Sequence, residues 1–353
     1  MPTTRQLLIS SALLSPVACF SEVPPGSDTD TSTSGPESES DEDPSTDETD
    51  DETDSPTTDE SETETGDEPD TTPPSIVSVS PEDAATGVGS DVNVVITFSE
   101  PMDRVSTQAA WQSADITGVV MQWNANDTEL TIVPNEPLAY GMGATYETTQ
   151  ALEYAFTIDV TAEDLAGNTL EAPVSSSFFT WRHVVMQIAP VDEMTGMAYQ
   201  PGSNINASQV YAGDVQGDTQ QKGVLTFELP ALPPTLEAIV SAELSAEQTT
   251  VSGSPYGPLP GLGEIHLLDV VFMLGSQAFD APAISDLGVF SDNPTLEIKS
   301  HDVTAAVVDD HAQGRANTQF RLEFPIPTNG NGEVDRVTLS KPTVSLELGY
   351  LAE

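Results

Sequence analysis

From Val92 to Phe98 the apolar side chains fall at every second position, so that Val92, Val94, Ile96 and Phe98 share one face. Tyr154, Phe156, Ile158 and Val160 repeat the pattern. Alternation with a period of two predicts strands with one face buried and the other in water. Turn-forming clusters rich in Gly, Asn and Asp punctuate the runs at residues 83–87, 124–127 and 166–168. Further along, Leu225, Phe227 and Leu229 face one way and Val224, Thr226 and Glu228 the other, which predicts a strand with one apolar face. Pro230, Pro233 and Pro234 break that run, and similar ones follow at 239–244, 264–270, 320–324 and 344–350. Many short strands separated by turns predict an all-β chain of two β-sandwiches, the first about 74–183 and the second about 184–353. The larger second unit suits a jelly-roll-like sandwich.

The first residues follow a different pattern. Arg5 precedes a short apolar run, Leu7, Leu8, Ile9, Ala12, Leu13 and Leu14. A bilayer span needs about 20 apolar residues, so this run reads as the core of an export signal over residues 1–18. Pro16, Val17 and Ala18 lead to Cys19, the only cysteine among 353 residues. A lone cysteine in an exported chain has no internal disulfide to form. The stretch resembles a bacterial lipobox, with Ala18 in its usual place and Pro16 where Leu is usual. That resemblance implies lipid attachment at Cys19 and an outer-membrane or cell-surface location; the alternative is ordinary signal cleavage and secretion.

Residues 19–73 form an acidic linker of Ser, Thr, Asp, Glu and Pro. Between Ser21 and Thr72 it carries 21 acidic residues and no basic one. Such a composition buries too little apolar surface to offset the entropy of ordering, and predicts a disordered, self-repelling stalk. The formal net charge of the whole chain is −49. Beyond the stalk, 37 acids stand against eight Lys and Arg, leaving a charge of about −29. That excess excludes nucleic acid as an expected partner, because binding it relies on cationic side chains at the phosphates.

Two family resemblances emerge from longer motifs. Residues 74–88 (PSIVSVSPEDAATGV), Ile96-Thr97-Phe98-Ser99-Glu100-Pro101-Met102-Asp103, the run Leu130 to Pro134, and Asp164-Leu165-Ala166-Gly167-Asn168 followed by Phe178-Phe179-Thr180 resemble a bacterial Ig-like domain of the type found in S-layer proteins. The resemblance implies a spacer or adhesion module without catalysis. Residues 223–230 (GVLTFELP), Val240 to Leu244, His301 to Val307 and Lys341 to Leu346 resemble the carbohydrate-binding-module-like DNRLRE family. Here Lys222 and Gly223 stand where that family usually carries Arg. This second resemblance implies an extracellular β-sandwich and, in some members, polysaccharide binding.

Candidate chemistry is sparse. The four histidines, His183, His266, His301 and His311, show no zinc-binding spacing. His301 and His311 with Asp302, Asp309 and Asp310 are one metal candidate among loop residues. Residues 253–257 lack the spacing of a nucleophile elbow and read as a turn. Asp214 and Asp218, beside Gly213 and Gly217, are candidates for calcium, which takes six to eight oxygens. Glu100 and Asp103 are a further acidic pair, read more simply as an exposed turn. Trp111, Trp123 and Trp181 fall in the first unit, and Tyr199, Tyr211 and Tyr256 in the second. The expectation is a non-catalytic surface lipoprotein with no required cofactor, binding polysaccharide or a surface protein, rather than an enzyme.

Overall fold

The computed structural model describes residues 68–200, 202–204, 207–257 and 261–353, with backbone alone at 202–204. The apolar leader, Cys19 and the acidic tract to residue 67 lie outside the described residues.

The first half builds nine strands: β1 (Ile76–Ser80), β2 (Ala85–Val88), β3 (Val94–Phe98), β4 (Trp111–Gln112), β5 (Val119–Trp123), β6 (Glu129–Pro134), β7 (Gly141–Gly143), β8 (Glu153–Ile158) and β9 (Val174–Thr180). Eight of them form two four-stranded sheets, β1-β3-β6-β5 and β2-β9-β8-β4. The alternating residues meet between these sheets. Val94, Ile96 and Phe98 from β3 and Leu130 and Ile132 from β6 pack against Tyr154, Phe156 and Ile158 from β8 and Phe178 from β9. Burying side chains of this size contributes about 1.5–3 kcal/mol each. Val160 departs from the predicted strand. The strand ends at Ile158, and Val160 lies in a turn, 37% exposed. A short helix that the alternation does not predict, α1 (Arg104–Ala110), starts at Asp103, whose carboxylate accepts the Ser106 amide at 2.8 Å.

The second half continues with β10 (Arg182–Ile188), β11 (Gly196–Tyr199), β12 (Gly202–Asn204), β13 (Gln209–Val215), β14 (Thr219–Glu228), β15 (Leu236–Ser252), β16 (Ile265–Val270), β17 (Ala283–Ser291) and β18 (Ile298–Asp302). Helix α2 (Thr304–Ala312) follows, then β19 (Asn317–Glu323), β20 (Arg336–Ser340) and β21 (Ser345–Ala352). Two layers face each other. One holds β18, the first part of β15, β21 and β10; the other runs β17-β16-β19-β14-β13-β20 to the last part of β15. The 17-residue β15 passes between layers through an irregularity at Gln248 and Thr250, as strands at sandwich corners do. Leu244, Ala246, Leu346 and Leu348 of one layer pack against Leu225, Phe227, Phe320 and Leu322 of the other. The fold is therefore all-β, two β-sandwiches with only two short α-helices among the described residues.

β14 differs from its prediction. Val224 and Thr226, placed by alternation on a solvent face, are fully buried; only Glu228 is exposed. Residues 271–282 fold across the outer face of β14, β16 and β19, where Phe272, Ala278 and Ala281 pack with Val224, Leu268 and Val270. Two basic side chains hold this cover in place. Arg321 of β19 donates to the carbonyls of Ala278, Phe279 and Ala281 and pairs with Glu323 at 2.9 Å. Lys222 of β14 donates to Phe279 O at 3.2 Å, pairs with Glu323 at 2.8 Å and lies over the Phe279 ring.

The two halves share backbone pairing. β7 from the first half runs parallel to β10, with Arg182 opposite Gly141 and Val184 opposite Gly143. β10 also pairs over its whole length with β21. A strand thus crosses residue 183, where the chain passes from the first sandwich to the second. Arg182 stacks on the Tyr146 ring at 4.7 Å, and the Tyr146 hydroxyl reaches Thr235 Oγ1 at 3.3 Å.

Candidate functional sites

Three arrangements stand out: an open groove, an acidic cluster and a loop of oxygen-bearing residues. The groove follows the edge of the β4-β8-β9 sheet and has a volume of about 860 Å³. Trp111, Gln112, Ser113, Asp115, Glu153 and Thr157 are among the side chains along it. Trp111 is half-buried and stacked on Phe156, with ring centroids 4.8 Å apart. Hydroxyls and carboxylates thus stand beside an aromatic ring in a surface channel.

The acidic cluster joins Asp70, Glu100 and Asp164, and one carboxylate oxygen from each lies within 4.8 Å of the other two. Asp164 is buried. Burial opposes its ionised form, but hydrogen bonds from Asn168, Ala166 and Gly167 outweigh this and hold its pKa below the usual carboxylate range. Burial and the neighbouring Asp70 and Asp164 push Glu100 upward. Glu100, expected to belong with Asp103, instead belongs with two acids distant in sequence. Asp103 is the α1 cap, and the Ser106 amide lowers its pKa.

The third arrangement surrounds residues 328–335. Asp214, at the end of β13, accepts the Asp335 amide at 3.0 Å. Asp218, in the β13–β14 turn, accepts the Gly332 amide at 3.0 Å and the Thr328 hydroxyl at 3.1 Å. The two acids singled out in the sequence thus grip one loop. That loop adds Asn329, Asn331 and Asp335, which the sequence reading missed. The available signal was an oxygen-bearing side chain at every second position, Asn329, Asn331, Glu333 and Asp335.

Other candidates resolve into structural contacts. His301 Nε2 lies 2.8 Å from Leu287 O. Asp309 and Asp310 both pair with Arg315, and among the described residues no group of three metal-ligating side chains forms around His301 and His311. His266 Nδ1 faces Asp286 at 2.9 Å. The Tyr256 hydroxyl lies 2.7 Å from Gln248 Oε1 and 2.8 Å from Ser291 Oγ inside the second sandwich, and burial pushes its pKa up. Arg336 covers the Tyr211 ring at 4.4 Å.

Asp269 and Asp310 are both buried, and each keeps one carboxylate oxygen without a partner among the described residues. Burial, with Asp310 nearby, raises the Asp269 pKa from the ordinary 3.8 to about 6. The folded state therefore binds this proton more tightly than the open chain does. The resulting stabilisation is fully present below about pH 4 and is lost as pH rises through 6. Asp269→Asn is expected to melt higher than wild type at pH 7.5, and its advantage is expected to vanish by pH 4. Thermal unfolding of both proteins across that range checks this; a pH-independent difference would contradict it.

Comparison with known proteins adds one assignment. Residues 70–180 match the sequence profile of the bacterial Ig-like domain family. The first sandwich is that Ig-like domain, and its profile begins at Asp70, at the end of the acidic tract. No curated protein matches the chain. Solved structures overlap it loosely. An L,D-transpeptidase from Mycobacterium smegmatis is 13% identical, with 64% of this chain and 77% of that one covered and a TM-score of 0.21. Native alpha-2-macroglobulin from Escherichia coli, domains MG0-NIE-MG1, is 11% identical, with 70% and 65% covered and a TM-score of 0.23. The N-terminal part of the bacterial S-layer protein SbsC is 13% identical, with 52% and 37% covered and a TM-score of 0.22. Overlaps this loose carry no inference about function. Among the described residues, no helix is long and apolar enough to cross a membrane.

Proposed function

We propose that this is an exported surface protein, lipid-anchored at Cys19, which binds extracellular or envelope polysaccharide without cleaving it. The observation that carries the reading is the groove of the Ig-like domain, where Trp111 stands beside Ser113, Thr157, Asp115 and Glu153. Sugar rings offer C–H faces that pack on aromatic rings, and hydroxyls that donate to carboxylates and exchange bonds with Ser and Thr. The groove lies on the first sandwich, whereas the resemblance to the DNRLRE family directs attention to the second. A charge of about −29 beyond the stalk favours neutral or cationic polymers over polyanions.

The test is retention of the full chain on immobilised polysaccharides. Wild type is expected to be retained saturably by one polymer class. Trp111→Ala is expected to bind at least about tenfold more weakly, the size of a lost aromatic contact of about 1.4 kcal/mol. Absence of retention on every polymer would overturn the reading. It would favour an adhesive protein acting through protein contacts, for which the exposed Val271, Met273 and Leu274 offer an apolar patch.

A further inference from the structure

β13 carries Val210 and Ala212 into the core of the second sandwich, and two residues on the same strand brings Asp214 into the interior as well. Its relative exposure is 0%, a position where a carboxylate is costly unless its charge is compensated. One oxygen accepts the Asp335 amide, so the carboxylate faces the 328–335 loop. The other oxygen is buried and has no partner among the described residues.

Asp335 is a second buried carboxylate at the same place, 3% exposed. It accepts the Ser254 amide at 2.6 Å and the Asn329 and Asn331 side-chain amides at 2.7 and 3.0 Å. These donors are all neutral, and neither acid forms a salt bridge among the described residues. Nearby Arg336 lies over Tyr211 and donates to Gln221. Two glycines let the chain close around Asp335. A Cβ on Gly213 would meet Asp335 O at 2.2 Å, and one on Gly253 would meet Asp335 Oδ1 at the same distance. Both adopt positive φ, +129° and +71°, where a side chain is strained.

We propose that Asp214 and Asp335, with the side-chain amides of Asn329 and Asn331, form a calcium site at the rim of the second sandwich. Carboxylate and amide oxygens are the hard ligands that calcium takes, and waters complete its six to eight. Asn329 Oδ1 and Asn331 Oδ1 accept the backbone amides of Asn331 and Glu333 at 3.1 and 2.6 Å, and each amide oxygen has a second lone pair to offer the ion. The cation compensates two buried carboxylates that neutral donors leave charged, and ties the β13 end to the loop before β20. This inference is independent of polysaccharide binding.

The experiment is thermal unfolding and calorimetric titration of the full chain, stripped with chelator and supplied with calcium chloride or, separately, magnesium chloride. Calcium is expected to bind one saturable site and to raise the melting temperature by about 5–10 °C at about 100 times the dissociation constant. Magnesium, which requires a tighter octahedral shell, is expected to do less. Asp214→Asn and Asp335→Asn are expected to lose the shift. Asn331→Ala, on an exposed part of the loop, keeps both carboxylates and is expected to weaken binding about tenfold. Glu100→Gln, in the separate acidic cluster, is expected to retain the full shift. No calcium effect on wild type would overturn the site. So would a shift that persists in both Asp variants and in Asn331→Ala, or one abolished by Glu100→Gln.

Discussion

Replacing Arg321 by Met is expected to lower the melting temperature by on the order of 10 °C and to expose residues 271–282 to protease. Arg321 is 5% exposed and pairs with Glu323. It also donates to three carbonyls of the covering segment, at Ala278, Phe279 and Ala281. Without Arg321 the Ala278 and Ala281 carbonyls stay desolvated and unmatched, at a cost of about 3–5 kcal/mol, while Lys222 still pairs with Glu323 and donates to Phe279 O. For a domain of this size each kcal/mol moves the melting temperature by about 2–4 °C. Met retains much of the side chain's length, so the loss reports the donors rather than a cavity. The segment is also held by Lys222 and by the packing of Phe272 and Ala281, so local release is expected to precede global unfolding. Limited proteolysis followed by mass mapping distinguishes these events. Protease resistance equal to wild type would show that the apolar contacts alone hold the cover.

Phe227→Ala is the second large effect. Phe227 is fully buried at the centre of the second core, with its ring 6.4 Å from that of Phe320 and tilted by 59°. Truncating a buried Phe to Ala costs about 3–5 kcal/mol, from lost transfer energy and the cavity left behind. β14 is paired on both sides, by β19 and by β11 and β13, so the backbone has little freedom to collapse into the space. Denaturant unfolding is expected to show a lower midpoint with an unchanged slope, since the surface exposed on unfolding hardly changes. Val160→Ala serves as a comparison: despite its place in an alternating run, Val160 sits in a turn, and its loss is expected to stay within about 0.5 kcal/mol.

The strand periods of β3, β6, β8 and β14 are written locally, because consecutive side chains on a pleated strand must point to opposite sides. From these runs and the intervening turns, the all-β class and the two-sandwich organisation are legible in the sequence alone. So is the acidic character of the chain. The sequence does not reveal which strand faces receive a second cover. Lys222, Val224 and Thr226 alternate like solvent-facing residues, yet the 271–282 segment lies over Lys222 and Val224, brought there by tertiary packing from about 50 residues away, and Met194 and Thr195 bond Thr226. The partners of Asp214 are hidden for the same reason. Asp335 is 121 positions distant, and only the β13–β20 pairing brings the two acids together. Asp70, Glu100 and Asp164 likewise meet through the sandwich rather than through any spacing in the chain. Local alternation is set by backbone geometry and can be read residue by residue. Burial of a charge and the convergence of distant oxygens depend on long-range contacts, and only the folded structure decides them.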